Sequence, residues 1–213
     1  MEEPFEQEGI RGVWHLPDQP NGDGLALTHG AGSNCNAPLL VSMARAFAEA
    51  GYQVLRYDLP FRCERPKGPP FPAGAARDRE GVVRAVEMVR QRASGRVFAG
   101  GHSYGGRQTA MAAAERPELA AALLLLSYPL HPPRKPEQKR TAFFPELRTR
   151  VLFVHGTADP FATLEELRAA MTLIPAPTDL LAVAGAGHDL KRAADLAPEI
   201  LTRFLALLCY SEK

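Results

Sequence analysis

Gly101-His102-Ser103-Tyr104-Gly105 has the composition of a turn that holds a hydroxyl clear of the backbone. The apolar run Val97-Phe98-Ala99 leads into it, and a helical pattern over residues 108–115 follows. Glycines two positions before and after the serine leave room for the chain to double back. The helix that follows points its N-terminus, with its free N–H groups and partial positive charge, at any oxyanion formed there. The spacing predicts a nucleophile elbow, with Ser103 as the attacking group in acyl transfer.

A serine hydroxyl is a poor nucleophile at neutral pH and needs a base within hydrogen-bond reach and a third group to orient that base. Of the six histidines, His188 lies in a glycine-flanked loop, Gly185-Ala186-Gly187-His188-Asp189, free to reach over the end of a sheet. His102 adjoins the serine, but a sharp turn should aim its side chain away. His29 and His155 each precede a glycine at a strand end, where a structural role is expected, and His15 and His131 fall in poorly defined segments. The acid is expected between serine and base in chain order. Asp159, in Gly156-Thr157-Ala158-Asp159-Pro160, fits; Asp179 opens a strand at the opposite edge, and Asp189 is too near His188 to fold back onto it. Two N–H groups are needed for the developing oxyanion. The expected donors are Tyr104, next to the nucleophile, and Ala31, in the loop His29-Gly30-Ala31-Gly32.

The elements that must position these residues alternate between apolar runs and helical spacings. Strands are expected near residues 9–16, 24–28, 52–57, 97–99, 120–127, 151–154 and 179–183. Helices are expected at 38–50, 75–92, 108–115, 164–173 and 195–208, the second with Val82, Val83, Val86 and Val89 inward. Alternation of this kind predicts an α/β architecture, a mostly parallel central sheet with helices on both faces. In such a sheet ligands bind beyond the carboxyl ends of the strands, where every unusual loop above lies. With 213 residues and no internal repeat, a single domain over residues 1–213 is expected.

Several function classes are excluded. A formal net charge of +1 gives no electrostatic case for nucleic acid or an anionic membrane. No run approaches about 18 consecutive apolar residues. Met1-Glu2-Glu3-Pro4 lacks the basic and apolar regions of a signal peptide, and Cys35, Cys63 and Cys209 form neither a zinc motif nor a disulfide framework, so a cytoplasmic setting is expected. Neither a phosphate-binding Gly-x-x-x-x-Gly-Lys-Ser/Thr nor a dinucleotide-binding Gly-x-Gly-x-x-Gly occurs.

Taken together, H-G-A-G, G-H-S-Y-G-G-R, H-G-T-A-D-P and G-A-G-H-D resemble the α/β-hydrolase superfamily over nearly the whole chain. The combination of H-G-A-G-S-N, R-Y-D-L-P-F and G-G-H-S-Y-G-G-R is similar to the KANL3/Tex30-like branch, close to the dienelactone hydrolases. The resemblance implies a three-layer α/β-hydrolase fold reduced to its core and a Ser103–His188–Asp159 triad. Dienelactone hydrolases proper carry cysteine at the elbow, where this chain has Ser103.

Residues 62–74 and 128–145, the latter with five prolines, take the place of a helical lid and are expected to be irregular loops, too short for a cap domain. Asn34, Asn36 and Phe61 are the candidate substrate-binding residues, the asparagines alternatively serving their own turn. Arg134, Lys135, Lys139 and Arg140 read as a solvated basic face rather than a site for an acidic ligand. The expected activity is cleavage of a carboxylic ester or thioester in a small-molecule acyl substrate through a Ser103 acyl-enzyme, with no cofactor or metal. An acyltransferase using the same intermediate, or a non-catalytic binding module on the same fold, are the alternatives.

Overall fold

The chain enters its sheet as an antiparallel hairpin, β1 (Glu2–Gln7) and β2 (Ile10–His15), paired from Glu2 opposite His15 to Gln7 opposite Ile10. The two-residue turn between them, Glu8-Gly9, has both φ angles positive, 53° and 74°, the twist that suits a tight hairpin. The sheet then continues as β3 (Gly24–Thr28), α1 (Pro38–Glu49), β4 (Gln53–Asp58), α2 (Pro60–Glu64), α3 (Ala75–Arg92), β5 (Val97–His102) and α4 (Tyr104–Glu115). Strand β6 (Ala122–Leu126), β7 (Arg150–Gly156), α5 (Leu164–Met171), β8 (Thr178–Val183) and α6 (Ala197–Leu208) complete it. This computed structural model describes residues 1–191 and 195–209.

The eight strands lie in the order β1-β2-β4-β3-β5-β6-β7-β8. From β4 to β8 all neighbours are parallel, and of the eight strands only β2 runs against the rest. Side chains of a strand alternate between the two faces, and here both faces are covered, so β6 can be apolar throughout. Leu123 and Leu125 pack against α3 and α4, whereas Leu124 and Leu126 pack against α1 and α6. All four are fully buried, at roughly 1.5–3 kcal/mol of apolar transfer each. The helices of the two faces make the outer layers of a three-layer α/β-hydrolase fold.

Among the described residues nothing between β6 and β7 forms a cap domain. The segment carries one short 3-10 turn, Phe144–Glu146. Tyr128 and Phe144 tie it down, their rings 5.4 Å apart and both against Phe153 of β7. No helix among the described residues is long and apolar enough to cross a membrane.

Three elements differ from the sequence expectation. β1 is an unexpected strand, half charged and almost wholly exposed; its pairing is to backbone, so it needs no apolar period, and Pro4 is tolerated at a sheet edge. The stretch 62–74, expected to be irregular, begins inside α2 and ends in a 3-10 turn at Pro72–Gly74, each started by a proline in its first turn. Helix α4 begins at Tyr104, immediately after the elbow serine, rather than at residue 108, because the small residues Gly105 and Gly106 let it start against β5.

Candidate active site

Ser103 has φ 51° and ψ −116°, a conformation outside the ordinary range for a residue with a side chain. The turn persists because the chain is packed hard against itself on either side. A methyl group on Gly101 would lie 2.8 Å from the Gly106 nitrogen and 2.9 Å from the Thr28 carbonyl oxygen. One on Gly105 would run into the His29 carbonyl oxygen and lie 2.7 Å from Thr28 Cγ2. Only glycine fits at both places. The elbow is thus wedged between the end of β3 and the start of α4, and Ser103 N–H is held by the Leu126 carbonyl at 2.8 Å.

The three residues expected to do the chemistry come together at the carboxyl ends of β5, β7 and β8. Ser103 Oγ lies 2.7 Å from His188 Nε2, and His188 Nδ1 lies 2.8 Å from Asp159 Oδ2. Asp159 also accepts the Phe161 N–H at 2.9 Å. Burial of the Asp159 carboxyl works to raise its pKa, but the His188 and Phe161 hydrogen bonds outweigh it and hold the group below the usual carboxylate range. A carboxylate on Nδ1 fixes the tautomer that leaves Nε2 free to accept the serine proton.

The loop His29–Gly32, from which an oxyanion donor is expected, is held by a histidine. His29 Nδ1–H donates to the Gly30 carbonyl at 2.8 Å, and Ser33 N–H donates to the same oxygen at 3.1 Å. His29 Nε2 accepts the Leu59 N–H at 3.1 Å, which assigns the proton to Nδ1. His29 is fully buried and its pKa is pushed down by that burial, so it stays neutral. In a trans peptide C=O and N–H point in opposite directions. Anchoring the Gly30 carbonyl therefore aims the Ala31 N–H the other way. Among the described residues, neither the Ala31 nor the Tyr104 N–H has a hydrogen-bond partner.

Residues 22–198 match the family described as an alpha/beta hydrolase domain. The chain belongs to that family. Solved structures share the fold at low identity. An α/β serine hydrolase homologue from Coxiella burnetii is 15% identical over 95% of this chain and 96% of its own, with a TM-score of 0.78. XC6422 from Xanthomonas campestris, described as an α/β serine hydrolase without a lid, is 16% identical over 100% of this chain and 96% of its own, TM-score 0.77. A dienelactone hydrolase from Anabaena variabilis is 20% identical over 95% and 98%, TM-score 0.72.

Around this α/β-hydrolase site several side chains have roles that sequence reasoning did not assign. The Phe161 ring lies almost flat on the His188 imidazole, centroids 4.1 Å apart and 30° between planes. The aromatic at the second position after Asp159 is the only trace of this in the sequence. His102 does point away from the serine: its Nε2–H donates to the His188 carbonyl at 2.7 Å, bracing the loop that carries the imidazole. Burial pushes its pKa down to about 4, so it is neutral at physiological pH. Asp78, fully buried in α3, accepts the Tyr104 hydroxyl at 2.7 Å and the Phe61 N–H at 3.0 Å. Its carboxyl pKa is raised by burial against those two donors. No motif marks Asp78 in the sequence, where it reads as an ordinary helix-start acid.

The three candidate substrate-binding residues are placed differently from expectation. Asn34 Oδ1 accepts the Asn36 N–H at 2.8 Å, closing its own turn, and Asn36 Oδ1 accepts from Arg56 Nη1 at 2.6 Å. Both line a cavity of about 560 Å³ between the oxyanion loop and the β1–β2 hairpin, whose wall includes Arg11, Cys35 and Asp58 but not Ser103 or His188. Phe61 is 4% exposed and packs behind the loop, 5.6 Å from the His29 ring and edge-on to Tyr104 at 5.8 Å. Its outer edge lines a cavity of about 310 Å³ with Arg65 and Phe71, whose wall does not include Ser103.

Proposed function

We propose that this α/β hydrolase cleaves a carboxylic ester or thioester of a small acyl substrate through a covalent Ser103 intermediate. The observation that carries the reading is the unbroken hydrogen-bonded line from Ser103 Oγ through His188 to Asp159, starting from a strained elbow. In the first half-reaction Ser103 Oγ attacks the acyl carbon while His188 Nε2 takes the hydroxyl proton, and Asp159 stabilises the imidazolium. The carbonyl oxygen becomes an anion between the N–H groups of Tyr104 and Ala31. As the tetrahedral species collapses, the bond to the leaving group breaks and His188 returns the proton to the departing alcohol or thiol. Water then repeats the sequence on the acyl-enzyme, with His188 as base, and releases the acid.

The segment between β6 and β7 supports small or exposed acyl groups, since among the described residues it forms no cap domain. A likeness in fold to a solved dienelactone hydrolase and to a lidless serine hydrolase agrees with this class of chemistry. The test is hydrolysis of p-nitrophenyl acetate by the wild-type protein and by Ser103→Ala. The reading requires turnover by the wild type and a fall of at least about a thousandfold in kcat in the variant, because the triad acts as a unit. Equal rates in the two would remove Ser103 from the mechanism.

A further inference from the structure

Arg62 lies on α2, in the stretch whose sequence reads as a basic surface loop, yet it is 3% exposed. Its guanidinium is shared among four backbone carbonyls. Nε–H donates to Ser33 at 2.7 Å, Nη2 to Ala31 at 2.9 Å and to Gly68 at 3.0 Å, and Nη1 to Arg65 at 3.0 Å. Two of these acceptors, Ala31 and Ser33, belong to the oxyanion loop, on either side of Gly32. Among the described residues Arg62 has no carboxylate partner. A buried cation without one depends on its hydrogen bonds, so the loop cannot leave the guanidinium without stranding buried donors of a charged group.

The same short helix also reaches the other oxyanion donor. Phe61 lies against the Tyr104 ring, and its N–H shares the Asp78 carboxylate with the Tyr104 hydroxyl. The guanidinium carbon of Arg62 sits 4.9 Å from the Phe61 ring centroid. The two halves of the oxyanion hole come from separate elements, the loop after β3 and the start of α4, and Phe61–Arg62 spans the gap between them. His29 fixes the Gly30 carbonyl, and with it the tilt of the Ala31 N–H; Arg62 fixes the carbonyls that follow, and with them how far the loop stands from Tyr104.

We infer that Arg62 is a positioning residue for the oxyanion hole: by clamping the Ala31 and Ser33 carbonyls it sets the distance between the Ala31 and Tyr104 N–H donors. The inference rests on the reading of Ser103 as the nucleophile. It predicts an effect on the transition state alone, since the clamp touches no part of the substrate. Lysine carries three donors on one atom and cannot span four carbonyls in a plane, so even this conservative change loosens the loop.

The test uses Arg62→Lys and Arg62→Ala, with Lys67→Ala, an exposed basic residue of the same stretch, as a control. Each protein is titrated with a fluorophosphonate, and kcat and KM for p-nitrophenyl acetate are expressed per labelled Ser103. Affinity for phenylboronic acid, which forms a tetrahedral adduct on a nucleophilic serine, is measured alongside. Loss of one oxyanion donor costs about 10²–10³ in kcat, which bounds the effect of misplacing one. The expected result is a kcat about 10–100-fold lower in Arg62→Lys and lower still in Arg62→Ala, with KM within about twofold and boronate affinity falling in step with kcat. Lys67→Ala should match the wild type. If Arg62→Ala fails to fold, Arg62→Lys alone decides.

A kcat per labelled site within about threefold of wild type in Arg62→Lys overturns the inference, as does a loss confined to the labelled fraction, which marks a structural role only. A wild-type protein that neither labels at Ser103 nor turns over the ester fails earlier, at the reading of Ser103, and removes the inference with it.

Discussion

Replacing Asp159 by asparagine should switch off His188 as a base without disturbing the fold. Asp159 accepts two donors: the Phe161 backbone N–H at Oδ1 and His188 Nδ1–H at Oδ2. Asparagine has one oxygen and one NH₂ group for those two places. The backbone N–H cannot change its character, whereas the imidazole can move its proton. The amide oxygen therefore faces Phe161, the NH₂ faces His188, and His188 is driven to the tautomer protonated at Nε2. That nitrogen then donates to Ser103 Oγ, 2.7 Å away, and can no longer accept from it. A tautomer switch of this kind lowers kcat by about 10⁴, or about 5 kcal/mol at 1.36 kcal/mol per decade. Each buried polar atom keeps a partner, so the melting temperature should stay within a few degrees of wild type. The assay is kcat for p-nitrophenyl acetate with thermal melting on the same preparation. A loss under tenfold, in a variant that melts normally, would refute the assignment of Asp159 as the group that sets the His188 tautomer.

Gly105→Ala puts a methyl group against the His29 carbonyl oxygen and Thr28 Cγ2, neither of which can yield without moving β3. The overpacking should cost about 1–3 kcal/mol, or about 3–10 °C in melting temperature, with activity lost beyond that because α4 and the oxyanion loop are pushed apart; a melt within 1 °C would show the crossing to be looser than described. His15 accepts a hydrogen bond from Arg56 Nε at 2.7 Å, and burial with the Arg56 charge lowers its pKa to about 4. The unfolded chain takes up this proton near pH 6.5 and the native protein only near 4. Stability is thus complete above pH 6.5 and lost as the pH falls from there to about 4. His15→Gln, which keeps an acceptor for Arg56, should reduce the loss between pH 7.5 and pH 5 by about 1–2 kcal/mol in denaturant titrations, and an unchanged slope would rule His15 out as a source. Because no cap domain forms between β6 and β7 among the described residues, kcat/KM along a p-nitrophenyl ester series should peak at short acyl chains; a tunnel would add about 0.8 kcal/mol for every CH₂ it buried, and a continuous rise to decanoate would reveal one.

The parts of the fold that were legible from sequence are those where one residue type answers to one physical demand. The leucine run of β6 can only be a strand covered on both faces, and α3 was located by its valines at helical spacing. Ser103, Asp159 and His188 were legible because each sits in a glycine-marked loop at a strand end, and the structure brings all three within hydrogen-bond distance of one another along a line. The hairpin strand β1 was not, since its pairing is carried by backbone groups that any side chain can accompany. Arg62 read as surface because basic residues cluster around it; four carbonyl acceptors, two of them brought from the distant Ala31 and Ser33, are what make it a buried residue. Asn34 and Asn36 were assigned to the substrate by their closeness in sequence to the loop His29–Gly32, and Phe61 by its place beside the 62–74 loop. Position in sequence does not say what a side chain will meet: Asn34 bonds within its own turn, Asn36 bonds Arg56, and Phe61 is buried.

The central claim, a nucleophilic Ser103 activated by His188, is tested most directly by covalent capture. The wild-type protein is incubated with a fluorophosphonate at neutral pH, digested, and the modified peptide sequenced by mass spectrometry. The account predicts a single adduct, on Ser103, that is absent from Ser103→Ala and forms at least about a hundredfold more slowly in His188→Ala. A folded wild-type protein that stays unlabelled, or one labelled at the same rate with His188 removed, would contradict it.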